Sequence, residues 1–407
     1  MVVSPTVVYR VIDGRSHVLN YTTGGIMSFE VGEEDIRSLI KSWSDRGTDI
    51  DDEVRKFFSE SGEMPNSRLC RENLIELGMH FSFPTVANLE LNKRCSLRCV
   101  HCYIESDDLK SPTPSFFEDM TETQIENFLY SLRRMGVFLL VLTGGEPFPN
   151  RNMERLIRKA SAMGFILEIF SNLQLIPEWF LRSNPSTFKV GRIQTSVYSA
   201  NPTIHDEITT VGGSFERTIR NIRFLKRKGY YVEVATPLMR ANFETRNETA
   251  ALFRSLGIRQ DFSWPIVNEY RSSVHGKASL NIFGDQAERF AAERPDFFIQ
   301  LDTKHCNEPV CAAGRALFGI MCNGDVWPCS QYPLVVGNVQ EDDIRDILES
   351  PVMLEIAGRA RKILKGRRVF NFCMGTNYAE TGDPFQQPGF MVESTPAFGK
   401  KKGGEKR

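Results

Sequence analysis

The sequence predicts an α/β protein built around a partial barrel of about six βα units, with a small α+β domain before it and a cysteine-rich extension after it. Two observations predict this fold. From Val86 onward, apolar strand-like runs alternate with amphipathic helix-like segments over roughly 180 residues. The nine cysteines fall mostly into two groups, one at the start of the alternating region and one after it.

The composition narrows the class of protein. The 407 residues exceed one ordinary domain, and 50 basic residues nearly balance 51 acidic ones, which argues against binding to nucleic acid or anionic lipid. No run approaches the roughly 18 apolar residues of a membrane span, and the N-terminus MVVSPTVVYR lacks the pattern of a secretion signal. We therefore expect a cytoplasmic protein. The odd cysteine count favours metal ligation over disulfides.

Residues 1–82 predict a small α+β domain. The apolar alternation in VVYRVIDGRSHVLNY indicates a hairpin. Three segments with helical periodicity follow it: EEDIRSLIKSWSD, DDEVRKFFSESG and NSRLCRENLIELG. Cys70 lies in the third segment with apolar residues at helical spacing, so we expect it in the core.

Residues 83–295 carry the alternating pattern. The predicted strands are ANLELN, VFLLVLTGG, FILEIFSN, RIQTSVYS, YYVEVATPLM and DFSWPIV. The helices between them mostly end near a glycine, and Thr121 with Gln124 has the spacing of a capping box. This repetition favours a parallel sheet closed into a partial (β/α)6, TIM-like barrel. Catalytic groups are then expected at the C-terminal ends of the strands.

After residue 295 the periodicity lapses. Residues 296–376 predict a cysteine-rich domain, in which MCNGDVWPC indicates a hairpin with an Asn-Gly turn. The segment IRDILESPVMLEIAGRARKIL predicts a helix. Residues 377–407 are expected to form a mobile tail, and its lysines to be solvated.

A group of three cysteines, Cys95-x3-Cys99-x2-Cys102, directly follows the strand ANLELN. Three thiolates on one short loop bind iron or zinc. Zinc would need a fourth ligand, for which His101 is available, although structural zinc sites usually split their ligands into two pairs. Three clustered cysteines suit a [4Fe–4S] cubane with one open iron. The spacing alone does not choose the metal.

A Gly-Gly turn, Thr143-Gly144-Gly145-Glu146-Pro147, follows the apolar strand one βα unit later. Its glycines permit close approach of the backbone to a ligand, and Glu146 offers a carboxylate for an ammonium group. Alone, such a turn is most often a simple βα connection. Its position after the cysteine group makes it specific.

Together these motifs resemble the radical SAM superfamily over about residues 86–270. CSLRCVHCY looks like the family's CxxxCxxC signature, and TGGEP looks like its S-adenosylmethionine (SAM) motif. The resemblance implies an enzyme in which Cys95, Cys99 and Cys102 ligate a [4Fe–4S] cluster that cleaves SAM to a 5′-deoxyadenosyl radical. It also implies an electron donor such as flavodoxin or ferredoxin.

The resemblance also implies the residues that bind SAM. Gly144, Gly145 and Glu146 would hold its amino end. Positions that resemble the family's ribose and carboxylate contacts are occupied by Ser171, Asn172 and Ser196.

Three positions near this site need separate interpretation. Tyr198 stands where relatives often carry an acidic residue, and His101 stands where many carry an aromatic one. His205 with Asp206 is either a proton carrier near the substrate or a pair at a helix start that orients a loop. The second interpretation is preferred.

The later cysteines predict a second metal centre. Cys311 and Cys329 follow the pattern C-x12-G-x4-C, and Cys306, Cys322 and Cys373 lie nearby. The segment resembles the SPASM/twitch extension of radical SAM enzymes, without the dense later cysteines of a full SPASM domain. This implies one auxiliary iron–sulfur cluster on Cys311, Cys329 and Cys373, with Cys306 or Cys322 as the fourth ligand.

The substrate prediction depends on residues 1–82, which are similar to the PqqD-like winged-helix domain that recognises leader peptides. The resemblance implies a ribosomally made precursor peptide that pairs with an exposed edge strand. We expect an oxidative thioether or carbon–carbon cross-link, because an auxiliary cluster can accept the electron left after bond formation. One alternative is a radical SAM dehydrogenase or cofactor-biosynthesis enzyme that acts on a small molecule. Another is a metal-bearing protein that binds peptides or senses redox state without catalysis.

Overall fold

The protein is described here by a computed structural model. The model describes residues 2–4, 7–44, 57, 67–104, 107–264, 266, 277–294, 298–300, 311–359, 368–370 and 373–386. Among these residues, no helix is long and apolar enough to cross a membrane.

An antiparallel sheet of four strands opens the chain, in the order β1-β2-β3-β4. Its strands are β1 (Val2–Ser4), β2 (Val7–Ile12), β3 (Arg15–Asn20) and β4 (Ile26–Phe29). The predicted hairpin is confirmed as β2–β3, and both turn residues, Asp13 and Gly14, have positive φ, as a two-residue turn of this type requires.

Two helices pack on this sheet, α1 (Glu33–Ser44) and α2 (Ser67–Phe81). They confirm the first and third predicted helices, whereas the second, over 51–62, lies outside the described residues except for Phe57. Cys70 is fully buried in α2, as predicted, and its thiol donates to the Tyr21 carbonyl at 3.2 Å. Through Leu74 and its neighbours, α2 also packs on the barrel strands.

The centre of the molecule is the predicted run of six parallel strands, each hydrogen-bonded to the next. They are β5 (Val86–Glu90), β6 (Leu139–Thr143), β7 (Ile166–Phe170), β8 (Val190–Ser196), β9 (Val232–Pro237) and β10 (Arg259–Ser263). The helices that follow these strands are α3 (Phe116–Asp119), α4 (Glu122–Arg134), α5 (Met153–Ala162), α6 (Glu178–Leu181), α7 (Pro202–Thr209), α8 (Ser214–Arg227), α9 (Arg246–Ser255) and α10 (Asp285–Glu293). Short 3-10 helices lie at Pro185–Thr187, Phe243–Thr245 and Lys277–Leu280.

The local signals that predict these helices are present in the structure. Thr121 and Gln124 form the predicted capping box at the start of α4. Helices α4, α5, α8 and α9 are each followed by a glycine with positive φ: Gly136, Gly164, Gly229 and Gly257. Glycine takes this conformation without a Cβ clash, so the chain can leave the helix and enter the next strand.

The two faces of the barrel sheet differ in chemistry. Leu140, Leu142 and other alternate residues pack against the outer helices. The opposite, inner face carries charges: Glu168 on β7 pairs with Arg192 on β8 at 2.6 Å, and Arg192 pairs with Glu233 on β9 at 2.7 Å. The same inner face also carries Leu139, Val141 and Ile166, which pack against α2, so it combines buried ion pairs with an apolar contact to the N-terminal region.

The cysteine-rich region adds strands to the same sheet. β12 (Leu317–Ile320) pairs in parallel with β5, and β13 (Asp325–Trp327) and β14 (Gly337–Asn338) continue the sheet beyond it. The predicted hairpin is confirmed as β12–β13. A separate pair joins β11 (Phe298–Gln300) to β15 (Arg368–Phe370).

The prediction of one continuous helix in this region is wrong. In place of a single helix over 344–364, the structure has α11 (Ile344–Leu348) and α12 (Pro351–Arg359), and the rest of the span lies outside the described residues. Pro351 explains the break, because proline disfavours helical backbone at the residue before it. The last described helix is α13 (Met374–Thr381).

Candidate active site

The loop that carries Cys95, Cys99 and Cys102 begins at the C-terminal end of β5, where barrel enzymes place their chemistry. Backbone hydrogen bonds hold it at both ends. The Cys95 amide donates to the Asp107 carbonyl at 2.9 Å, and the Val100 amide donates to the Ile208 carbonyl of α7 at 3.0 Å. The cysteines are thus presented on a tethered loop.

The Gly-Gly turn packs directly against this cysteine loop. A Cβ at Gly144 would lie 2.3 Å from the Asn92 carbonyl oxygen, and one at Gly145 would lie 2.4 Å from that of Lys93. The Gly145 amide donates to the Asn92 carbonyl at 2.8 Å. Glycine is therefore needed here for contact with the cysteine loop, in addition to any contact with SAM.

The three thiols of the loop are close enough to affect one another. Burial raises the pKa of Cys95 to about 11 and that of Cys99 to about 12, and the Cys102 thiol raises both further. Ionising such thiols together is unfavourable without a cation. Bound iron supplies that positive charge and displaces the protons, so the donor set fits an iron–sulfur cluster.

Hydrogen bonds to the sulfurs strengthen this fit. The Leu97 amide donates to Cys95 Sγ at 3.4 Å, and Asn172 Nδ2 donates to the same sulfur at 3.3 Å. The hydroxyl of Tyr198 donates to Cys99 Sγ at 3.5 Å. Donors of this kind stabilise the negative sulfurs of a cluster and tune its potential.

The zinc alternative finds less support in the geometry. Within the described parts of the chain, no three His, Cys, Asp or Glu side chains are grouped so that they could hold one metal ion. The ring of His101 packs edge-on against Tyr198, with 4.9 Å between centroids. In a [4Fe–4S] cluster each of the three cysteines binds its own iron, so this interpretation does not require His101 as a ligand.

Glu146 is fully buried, and its carboxylate faces the loop after β7. It accepts hydrogen bonds from the Ser171 hydroxyl at 2.7 Å and from the Asn172 amide at 2.8 Å. Burial raises the pKa of Glu146 to about 7, and these hydrogen bonds oppose the rise. In this structure the side chain orients two of the predicted SAM contacts, so a direct contact of Glu146 with SAM stays a prediction, as do those of Gly144, Gly145, Ser171, Asn172 and Ser196.

Tyr198 is the residue whose place in the site the sequence did not predict. From the sequence alone, Tyr198 differs from relatives, which often carry an acidic residue at this position. In the structure, its side chain lies buried between Cys99 and His101. Burial raises its pKa well above the usual value, and the Cys99 thiol raises it further, so the hydroxyl stays protonated and donates. Ser196, two residues earlier on β8, is close enough to the same side chain to oppose this rise in its pKa.

His205 and Asp206 have the structural role preferred from the sequence. His205 Nδ1 accepts from the Tyr198 amide at 3.2 Å, and burial lowers its pKa to about 4. Asp206 accepts from the Gly213 and Phe215 amides, at 2.6 and 2.9 Å, at the start of α8. His205 is thus a neutral, buried imidazole, and Asp206 caps the start of α8. Neither role involves proton transfer.

A second group of thiols forms from Cys311, Cys329 and Cys373. Burial raises the pKa of Cys311 to about 12 and that of Cys329 to about 11, and the neighbouring thiols raise both. Backbone amides donate to the sulfurs: Gln331 to Cys329 at 3.5 Å, and Thr376 to Cys373 at 3.4 Å. This environment also fits an iron–sulfur cluster.

The fourth ligand, predicted as Cys306 or Cys322, stays a prediction. Cys322 lies at the turn of the β12–β13 hairpin, whereas Cys329 lies at the opposite end of the same hairpin. The hairpin pairs Gly319 with Trp327 and Ile320 with Val326, so the two cysteines lie beyond opposite ends of the paired residues. Cys306 lies outside the described residues.

Arg71 of α2 connects the second group to the inside of the barrel. Its guanidinium pairs with Glu168 on the inner face at 3.0 Å. It is also close enough to the Cys329 thiol to lower the pKa of that thiol, against the larger effect of burial. Arg71 thus acts electrostatically on Cys329 while it is paired with Glu168.

A partial barrel with a cysteine loop after its first strand, and a second cysteine group after its last helix, defines an iron–sulfur enzyme. Residues 89–253 match the model of the radical SAM superfamily, and residues 311–374 match that of SPASM, an iron–sulfur cluster-binding domain. The chain therefore carries a radical SAM domain and a SPASM domain. It is therefore an enzyme that uses a [4Fe–4S] cluster, SAM and auxiliary iron–sulfur chemistry, which rules out the non-catalytic alternative.

Similar proteins fall into two groups. An AdoMet-dependent heme synthase of Methanosarcina barkeri is 24% identical over 76% of this chain and 96% of its own length. The subtilosin biosynthesis protein AlbA of Bacillus subtilis is 25% identical over 70% of this chain, which spans 64% of AlbA. The crystal structure of Streptococcus suis SuiB bound to precursor peptide SuiA has a TM-score of 0.60 at 17% identity and covers 95% of this chain and 99% of SuiB.

Proposed function

We propose that this enzyme modifies a ribosomally synthesised precursor peptide. Residues 1–82 would bind its leader, residues 83–295 would carry the radical chemistry, and residues 296–376 would hold the auxiliary cluster. An electron donor such as flavodoxin or ferredoxin would supply the reducing electron. AlbA is a biosynthesis protein of the bacteriocin subtilosin, and SuiB has been crystallised with its precursor peptide SuiA, so both support this substrate class.

The observation that carries the proposal is the N-terminal sheet. Strand β4 (Ile26–Phe29) is the last strand of that sheet, with β3 on its inner side. An edge strand offers backbone groups to an extended peptide, which adds as a further strand. The SuiB comparison covers 95% of this chain, and the unmatched residues are fewer than those of the N-terminal region. At least part of the N-terminal region is therefore matched.

The residues of the site would divide the work as follows. Cys95, Cys99 and Cys102 would hold the cluster, and Leu97, Asn172 and Tyr198 would stabilise its sulfurs by hydrogen bonds. When bound, the cluster and SAM supply a 5′-deoxyadenosyl radical that abstracts a hydrogen atom from the substrate.

Other residues would shape the surroundings of that chemistry. Glu146 would fix the loop of Ser171 and Asn172 beside the cysteines, because its buried carboxylate accepts from both. The charged inner face, with Arg192 between Glu168 and Glu233, would line the space for the peptide.

The finer proposal is an oxidative cross-link, either a thioether or a carbon–carbon bond, which removes two hydrogen atoms from the peptide. Mass spectrometry after incubation with reconstituted enzyme, SAM and a reductant tests it. We expect the candidate precursor to lose the mass of two hydrogens. Unchanged mass together with retained stereochemistry at every residue would contradict peptide modification.

Leader recognition has its own test in the full-length enzyme. A precursor peptide is compared with the same peptide lacking its N-terminal half. We expect binding and modification to be lost with the leader, because the leader is the segment that would add to the edge strand. Equal modification of both peptides would contradict recognition by residues 1–82.

A second candidate function is small-molecule chemistry in cofactor biosynthesis. The heme synthase comparison favours it, because that relative is matched over 96% of its length. Turnover of a porphyrin precursor by this enzyme, with no change to any peptide, would support this candidate over the first.

A further inference from the structure

A cleft of about 650 Å³ lies where the N-terminal sheet, the end of α4 and the SPASM region meet. Phe83 and Pro84, just before β5, and Leu317, the first residue of β12, belong to its lining. The cleft therefore opens at the N-terminal ends of the barrel strands, the edge opposite the Cys95 loop. Nothing in the proposed chemistry uses it.

The cleft is lined by an excess of positive charge. Its arginines are Arg10, Arg37, Arg133, Arg134, Arg315 and Arg345, whereas its carboxylates are Asp13, Glu33 and Glu349. Glu33 is already paired with Arg37, and Glu349 lies 3.6 Å from Arg345. Glu33 also acts electrostatically on Arg133, but no carboxylate forms an ion pair with Arg133 or Arg134 in the described parts of the chain.

Arg10, Arg133 and Arg134 form no ion pair with a carboxylate among the described residues. Arg133 makes no ion pair there, and its buried Nε has no hydrogen-bond partner. Arg134 contacts the ring of Tyr130. Arg10 is buried and donates to backbone carbonyls, including that of Val137 at 2.8 Å. Burial, and then the nearby Arg133, lower the pKa of Arg10, so an anion in the cleft would relieve the repulsion between them.

The same cleft has an exposed apolar rim. Tyr130 is 52% exposed and Leu354 is 60% exposed, and both line it. Large exposed side chains beside a charged cleft are typical of surfaces that bind another chain. A free phosphate would leave both side chains uncovered, and a nucleic acid would gain little from a chain with a net charge of −1.

We propose that this cleft binds an acidic peptide segment that also carries large apolar side chains. The inference rests on the proposed function, since it names a second contact for the peptide substrate. Carboxylates of the segment would pair with Arg133 and Arg134, and its apolar side chains would cover Tyr130 and Leu354. A spacer of about ten extended residues between the two bound segments of the peptide is roughly 33 Å long. This is twice the length of a five-residue barrel strand, so one peptide can reach both edges of the barrel.

Selection from a displayed library of random 15-residue peptides on the full-length protein tests the proposal. Wild-type protein should enrich Asp and Glu together with Leu, Ile and Phe. The double variant R133E/R134E should lose that enrichment and bind the selected peptides at least tenfold more weakly, and raised salt should weaken wild-type binding. The matched control is R158E/R182E, which makes the same charge change at exposed arginines of α5 and just after α6. Thermal unfolding of all three proteins establishes that each is folded.

Two results would overturn the proposal. One is a selected pool without acidic enrichment, or one that R133E/R134E and the control bind equally. The other is displacement of acidic peptides by inorganic phosphate with no preference for apolar side chains, which would define a small-anion site. If wild-type protein selects acidic peptides but modifies no peptide, the cleft proposal stands and the proposed function is contradicted. If R133E/R134E binds and cross-links a precursor as wild type does, the proposed function stands and the cleft proposal is contradicted.

Discussion

Tyr198 donates its hydroxyl hydrogen to the sulfur of Cys99, a proposed ligand of the SAM-cleaving cluster. A donor to a cluster sulfur stabilises the reduced, more negative state. We predict that Tyr198→Phe lowers the midpoint potential of this cluster and slows SAM cleavage with a given reductant. Redox titration followed by electron paramagnetic resonance measures the potential.

The matched control for this change is Tyr230→Phe. Tyr230 is also buried, and its hydroxyl pairs with Ser183 at 2.6 Å in place of a cysteine. Loss of that hydroxyl should affect stability without shifting the potential. An unchanged potential in Tyr198→Phe, or equal shifts in both variants, would contradict a role of Tyr198 toward the cluster.

His205 makes a prediction about pH. Its pKa is lowered from the usual 6.5 to about 4 by burial, so the folded protein excludes a proton that the unfolded chain binds. The stabilisation is present above the unfolded pKa and is lost as pH falls from about 6.5 toward 4. Wild-type apoprotein should lose about 2 kcal/mol between about pH 7.5 and 5 from this group, and His205→Asn should lose less. Denaturant unfolding at both pH values measures this, and identical pH dependence in the two proteins would contradict it.

The contact between the Gly-Gly turn and the cysteine loop makes a prediction at the scale of elements. A Cβ at position 145 would meet backbone carbonyl oxygens of Lys93 and Arg94, at 2.4 and 2.6 Å. Gly145→Ala should therefore destabilise the protein by about 1–3 kcal/mol and lower the iron bound on reconstitution, since the cysteine loop must shift. Gly358→Ala in α12, where nothing lies within 4 Å, should be neutral or stabilising by up to about 1 kcal/mol. Unfolding curves and iron assays that do not separate the two variants would contradict this contact.

Elements set by local signals could be predicted from the sequence, and contacts between distant elements could not. The capping box of Thr121 and the glycines after α4, α5, α8 and α9 act within one turn of chain, so their patterns are readable. The pairing of β12 with β5 joins residues some 230 positions apart, and no local pattern encodes it. Pro351 was a readable signal that the single predicted helix over 344–364 did not take into account.

The same distinction holds for the site. The spacing of Cys95, Cys99 and Cys102 is a local pattern and carried the family assignment. The contact of Tyr198 with Cys99 spans 99 residues, and only the order of the barrel strands brings the two together. The sequence predicted the hairpin on which Cys322 lies. It did not predict where Cys322 lies relative to the other cysteines, because that depends on the length of the hairpin.

At the scale of the whole molecule, the barrel separates two groups of cysteines. The Cys95 loop lies at the C-terminal ends of the strands, and the group of Cys311, Cys329 and Cys373 lies in the region after the barrel, where Arg71 acts electrostatically on Cys329. The N-terminal helix α2 supplies Arg71, so all three regions contribute to one interior. This arrangement predicts that the two groups hold separate clusters with separable effects.

Formation of 5′-deoxyadenosine tests the central claim most directly, namely that Cys95, Cys99 and Cys102 hold the cluster that cleaves SAM. Wild-type enzyme, Cys99→Ala and Cys329→Ala are reconstituted anaerobically with iron and sulfide and given SAM and dithionite. The wild type should form 5′-deoxyadenosine, Cys99→Ala should form none, and Cys329→Ala should bind less iron yet retain part of the cleavage. Cleavage by Cys99→Ala at the wild-type rate would contradict the assignment.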